Sequence, residues 1–167
     1  GAGDVLIEAM GAGTDIVAEA NADIESTTGH ITLKAARTID LRAGVDVRTT
    51  GVGSLDVVAG TGSLTMAADA TLNTVDGDIR ATAGNDVLDQ VTIGVITAGN
   101  ANVAITTPGS VRDSDAVTAQ ADDTTVDVVA RGLRVDAGKG LGVLVGNSLG
   151  QDVNAIETTL GVLSAWV

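Results

Sequence analysis

The sequence predicts an all-β fold: a single-stranded, right-handed parallel β-helix (a β-solenoid). It would have about seven coils of about 24 residues, with three strands in each coil. Three observations predict it. Apolar and polar residues alternate in short runs, the hydrophobic residues are almost all aliphatic, and three columns of apolar positions advance along the chain at one shared period.

The alternation is clearest between residues 29 and 51, "GHITLKAARTIDLRAGVDVRTTG". Ile31, Leu33 and Ala35 point one way while His30, Thr32 and Lys34 point the other. Ile39, Leu41 and Ala43 repeat the pattern, and Val45, Val47 and Thr49 repeat it again. Three half-buried strands in so few residues leave no room for hairpins, so the intervening residues read as corners of one coil.

Composition agrees with this. Of 167 residues, 44% are hydrophobic, yet there is no Phe or Tyr and only one Trp, so a core must be built from Val, Ile, Leu and Ala. Twenty-two glycines and a single proline, Pro108, suit short β-branched strands broken by corners.

The repeat supplies the register. GDVLIEA at Gly3 returns as GHITLKA at Gly29, GSLDVVA at Gly53 and GDIRATA at Gly77, then without glycine as NVAIT and TVDVVA. The first column runs through Val5, Ile31, Leu55, Ile79, Val103, Val126 and Leu149, in steps of 26, 24, 24, 24, 23 and 23. A second runs through Ile16, Ile39, Leu64, Val87, Val111 and Val135, and a third through Ile24, Val47, Leu72, Val95, Val117 and Val143. An antiparallel sandwich has the same strand density but does not require one register across three columns.

A coil buries its inner face only when others stack on it. Strands about 4.8 Å apart would make a rod of about 30 to 35 Å, coiled right-handedly as parallel connections usually are. Alanine at strand ends (Ala9, Ala35, Ala43, Ala59, Ala83, Ala130) lets the wall pinch inward, and glycine before a strand allows positive φ at a corner. Residues 1–167 read as one domain and, opening on Gly1 and closing on the apolar run 163–167, as a segment of a longer chain. An irregular loop or bulge is expected at about 106–124, where "TTPGSVRDSDAVTAQADD" interrupts the alternation with a proline and an acidic cluster, and strands are hard to phase after Gly138.

Charge narrows the partners. The net charge of −13 disfavours nucleic acid and anionic membrane surfaces, which call for a basic patch. The absence of cysteine excludes disulfides and thiolate metal sites, and no apolar run is long enough to span a bilayer.

The GDI-x-L-x-A repeats, "TAGNDV", "GSVRDSDA" and "LRVDAGKGLG…NAIETTLGVLSA" together resemble the repeat regions of giant bacterial exoproteins and adhesins of the filamentous-haemagglutinin type. The resemblance covers essentially the whole chain. It implies a right-handed β-helical shaft, export to the bacterial cell surface or medium, and roles in adhesion, biofilm or fibre building.

No catalytic, cofactor-binding or metal-ligating residue is assigned from the sequence. His30, the only histidine, sits outward beside Gly29 without partners fixed by spacing. "GAGTDIV" around Asp15 and "AGNDVLD" around Asp86 echo a calcium nonapeptide, but they stand 71 residues apart without tandem copies. They read as turns into a second strand, with calcium the secondary reading. Asp113, Asp115, Asp122 and Asp123, with Arg112 or Arg131, could serve a carbohydrate-active β-helix enzyme such as a polysaccharide lyase or hydrolase. A solvated acidic loop is the simpler reading, since no aromatic sugar platform is present. The threonine pairs at 27–28, 49–50, 106–107 and 158–159 read as corners, and Trp166 as a packing residue.

The expected protein is therefore a non-enzymatic structural shaft of a surface or secreted fibre. Its expected partners are itself or adjacent coils of one long chain through the open ends, and cell-surface glycans along the flank.

Overall fold

A computed structural model describes residues 1–114, 125–142 and 156–167. Among them there is no helix. The strands come in groups of three: β1 (Val5–Ala9), β2 (Ile16–Ala18) and β3 (Asp23–Ser26), then β4 (Ile31–Ala35), β5 (Ile39–Leu41) and β6 (Asp46–Thr49). β7 (Leu55–Ala59), β8 (Leu64–Met66) and β9 (Thr71–Thr74) follow, then β10 (Ile79–Ala83), β11 (Val91–Ile93) and β12 (Val95–Thr97). β13 (Asn102–Thr107), β14 (Val111–Asp113), β15 (Val128–Ala137) and β16 (Thr158–Trp166) complete the order.

All pairings are parallel, and each strand through β11 pairs with the strand three later in sequence. β15 serves two faces: Val128 and Val129 continue the β12 ladder, while Gly132 to Ala137 continue the β13 ladder. An eleven-stranded sheet therefore wraps almost closed beside a five-stranded one, giving a parallel β-solenoid-like architecture.

The core is the stack of inward residues. Ile31, Leu55, Ile79, Val103 and Leu133 lie in register and all are buried. Leu33, Val57, Ala81, Ile105 and Val135 form the next column. At the strand ends Ala9, Ala35, Ala59 and Ala83 stack as expected, which lets the corner close tightly. Ala43 is exposed and takes no part in it.

The glycines before the strands act by close approach, not by positive φ. A Cβ on Gly53 would lie 2.0 Å from the Gly29 carbonyl oxygen, and one on Gly77 would lie 1.9 Å from that of Gly53. Neither position has positive φ, whereas Gly84, in the turn before β11, does. Beside these glycines Ser26, Thr49 and Thr74 are buried in one register, and their hydroxyls bond the corner backbone. Ser26 Oγ donates to Gly3 O at 2.8 Å and accepts from Gly29 N–H at 3.0 Å.

The three columns need re-phasing in their later members. Leu133, not Val126, pairs with Val103, and Val135 belongs to the first face, opposite Ile105. The step from Val103 to Leu133 is 30 residues, against 24 for each step from Ile31 to Val103.

Val91 replaces Val87 opposite Leu64. The turn before β11 is long: Asp89 Oδ2 accepts from the N–H groups of Asn85 and Asp86, and Asp86 Oδ1 accepts from Leu88 N–H. The surplus is recovered one strand on, where Gly94 alone turns the chain from β11 into β12 and Ile96, not Val95, pairs with Leu72. Val117, Val143 and Leu149 lie outside the described residues.

The first part of the expected loop at 106–124 is instead occupied by the end of β13 and by β14, which stay in register to Asp113, and 115–124 lie outside the described residues. Thr106–Thr107 and Thr158–Thr159 are strand residues rather than corners.

Candidate functional site

Among the described residues, the buried acids are Asp113 and Asp127. Asp113 ends β14 in register with the buried Ile93, yet it carries a carboxyl group and is only 4% exposed. Asp127, immediately before β15, is 1% exposed, and Glu157, immediately before β16, is half-buried. Carboxylate oxygens from all three lie within 4.8 Å of one another, the only such convergence of metal-type donors among the described residues.

Stacking brings them together. Ile96 N–H donates to Asp127 O at 2.7 Å, and the N–H groups of Asp127 and Val128 donate to Glu157 O at 3.0 and 3.1 Å. Glu157 N–H in turn donates to Asp127 Oδ2 at 2.9 Å, closing a clasp between consecutive rungs.

Three ionised carboxyl groups at this separation repel strongly in a medium of low dielectric. Burial pushes Asp127 up to about 8, the neighbouring charges of Asp113 and Glu157 add to the rise, and the Glu157 N–H bond opposes it. A carboxyl held that high keeps its proton at neutral pH. Carboxylate oxygens are also the donors that hard cations take, and Ca²⁺ takes six or more.

Of the acids singled out in the sequence, Asp113 belongs to this cluster, while Asp115, Asp122 and Asp123 lie outside the described residues. Arg112 lies on the outer side, its Nε donating to Ser110 Oγ at 3.1 Å, and Arg131 is exposed on the flank of β15. Asp127 and Glu157 were missed. Asp127 stands in "TVDVVA", where alternation makes it look like an ordinary outward residue, and the 30-residue coil hides its register.

The turn residues have local duties. Asp15 Oδ1 accepts from Arg37 Nε at 2.8 Å, Thr38 Oγ1 at 2.6 Å and Thr38 N–H at 3.0 Å, while Arg37 Nη2 pairs with Oδ2. The bond from Arg37 leads, and those from Thr38 follow, in holding the Asp15 carboxyl far below the usual carboxylate range. Asp86 caps its own turn through Leu88 N–H. His30 is exposed, and its Nδ1 accepts from Ser54 N–H at 3.1 Å with Ser54 Oγ at 2.8 Å, a contact between neighbouring rungs. Comparison of the chain with protein-family models, with curated proteins and with solved structures gives no significant match.

Proposed function

We propose that this chain is a non-enzymatic structural shaft, a right-handed parallel β-helix of about seven coils in a bacterial surface or secreted fibre or adhesin of the filamentous-haemagglutinin type. The observation that carries the reading is the continuous in-register stack of aliphatic residues, Ile31–Leu55–Ile79–Val103–Leu133 and its neighbours. Each rung buries the apolar face of the next and saturates its backbone, so stiffness comes from repetition.

Ion pairs between rungs support the same role. Glu8 meets Lys34 at 2.9 Å, Glu25 meets Arg48 at 3.1 Å and Asp56 meets Arg80 at 2.6 Å, each acid on one rung and each base on the next. Exposed pairs contribute little stability individually, but like charges one rung out of register would repel. The remaining negative surface keeps rods apart in solution.

Among the described residues, eight of the fourteen exposed large apolar side chains lie on the two outermost groups of strands, the others being scattered over turns and flanks. Leu6, Ile7, Met10 and Val17 lie at one end, and Val162, Leu163, Trp166 and Val167 at the other. Such edges favour further pairing, with coils of the same long chain or head-to-tail with another copy. The burial of Asp113 and Asp127 keeps both from a polymeric substrate, which weighs against the lyase or hydrolase reading.

Immunogold imaging of native material tests the proposal. Label along thin fibres or over a cell-surface layer is the expected result. Label on compact intracellular particles would refute it.

A further inference from the structure

The flank of the solenoid over β13, β15 and β16 carries a groove of about 600 Å³. Its origin is local. On three consecutive rungs the outward positions Ala104 and Gly132, followed by Ser164, are small, so the surface sinks between Asn102 and the two arginines of β15. The glycine is essential to the depth, because a Cβ at Gly132 would lie 2.9 Å from Asn102 Oδ1. A second depression of about 370 Å³ shares Asn102 and Ala104 and runs on over β10 and β7. Together they make a trough across five rungs, about 19 Å long at the spacing of stacked strands.

No acid lines the groove over β13, β15 and β16, and its unused charged donors are cationic. Asp56 is held in a fork by Arg80, at 2.7 and 2.6 Å, and Asp78 Oδ1 accepts from Asn102 N–H and Nδ2 at 2.9 and 3.2 Å. Asp56 is thus paired with a cation, while Asp78 keeps one oxygen free in the neighbouring depression, outside the lining of the groove itself. Arg131 has one long bond, from Nη2 to Asn102 Oδ1 at 3.3 Å. Arg134 is 71% exposed and approaches Asp136, the nearby acid, only to 3.6 Å. Two guanidinium groups with donors to spare, above a floor of Ala, Gly and Val carbons, suit a ligand with planar carboxylates and apolar C–H faces.

The backbone decides between classes of polymer. β10, β13 and β15 are each paired on both sides, so their main chain beneath the groove is consumed, and the one open edge here, that of β16, lies at the end of the groove. An extended acidic peptide docks most readily by adding a strand to an open edge, which here would stack it beyond β16 and leave the groove empty. A sugar chain needs only side-chain partners, and Asn102 and Ser164 supply them. We propose that this groove binds a uronic-acid-containing glycan lying along the rod, its carboxylates held by Arg131 and Arg134. This gives a ligand class to the adhesin reading and rests on that reading only for where such a polymer is met.

The test is calorimetric titration of the purified chain with tetragalacturonate, with its carboxyl-reduced neutral counterpart and with a tetraglutamate peptide, alongside thermal melts. Saturable binding of tetragalacturonate alone is expected. The double variant Arg131→Gln/Arg134→Gln should weaken it at least about tenfold. Gly132→Leu, which keeps both charges and fills the floor, should weaken it similarly, while Arg48→Gln, on another face, should leave it unchanged. Melting temperatures within a few degrees of wild type show that a loss is not unfolding. Should Gly132→Leu melt early, the double variant decides alone. Equal binding of the neutral glycan, equal binding of the peptide, no binding, or retained affinity in the double variant would each overturn the proposal. None of these outcomes bears on the fibre reading, which the imaging tests separately.

Discussion

Replacing Asp127 by Asn should stabilise this protein at neutral pH and leave it unchanged in acid. Asp127 is 1% exposed and its carboxyl is pushed up to about 8, so the native state holds a proton that the unfolded chain, with an ordinary value of 3.8, releases. The folded state binds more protons throughout that window, so the contribution of this group to stability is greatest below about pH 4, falls as pH rises, and levels off above about pH 8. At pH 7 the penalty amounts to roughly 4 kcal/mol, at 1.36 kcal/mol per pH unit. Asn carries no proton to lose, its oxygen can accept the Glu157 N–H as Asp127 Oδ2 does at 2.9 Å, and its amide can donate to the adjacent carboxylates. Allowing for relaxation of the cluster, Asp127→Asn should gain about 2 to 4 kcal/mol at pH 7, a rise in melting temperature of about 5 to 10 °C. At pH 4 the gain should vanish. Far-UV circular dichroism melts of both proteins from pH 4 to pH 9 read this directly. Wild-type stability that stays flat or rises with pH, or a variant that melts earlier than wild type at pH 8, would refute the reasoning.

Other outcomes follow from the same packing. Leu33→Ala removes a fully buried side chain from the middle of a column and should cost about 2 to 5 kcal/mol in urea unfolding. Gly53→Ala should destabilise by at least about 1 to 3 kcal/mol, because the new Cβ would stand 2.0 Å from the Gly29 oxygen and the rungs must part. Gly140→Ala, where no atom lies within 4 Å but φ is positive, should cost less than Gly53→Ala. The depressed Asp15 carboxyl contributes stability above the ordinary 3.8 that is lost as pH falls through its folded value. Arg37→Gln should therefore make the acid limb below about pH 4 shallower in the same melts.

Much of the fold was legible because a stacked coil repeats one packing problem. From Val5 to Val103 every first-column residue named from periodicity is paired as expected, since each rung imposes the same inward positions on the next. Legibility failed where corners absorb residues. The turn capped by Asp86 and Asp89 displaced the second column from Val87 to Val91, and nothing in hydropathy marks a turn held by backbone-to-carboxylate bonds. The 30-residue coil then moved the first column from Val126 to Leu133. The role of the pre-strand glycines was misread for another reason. The repeat "G-x-I" reveals that glycine is required, but only the neighbouring rung reveals that the requirement is space for a carbonyl. The acidic cluster was half visible, as Asp113. Its partners became neighbours only through the stacking of connections whose lengths no pattern predicts.

All of this depends on parallel, in-register stacking, and the absence of native cysteine makes that stacking directly measurable. Outward residues paired on adjacent rungs stand about 4.8 Å apart, within the roughly 4.4 to 6.8 Å that a disulfide spans between Cα atoms. Cysteines at Asp56 and Arg80, or at Thr106 and Asp136, should oxidise to intramolecular disulfides in the native protein, while Thr106 with Ala130, the partner a constant 24-residue step would choose, should not. Efficient cross-linking of 106 with 130 and none of 106 with 136 would contradict the register, and failure of 56 with 80 would contradict the stack itself.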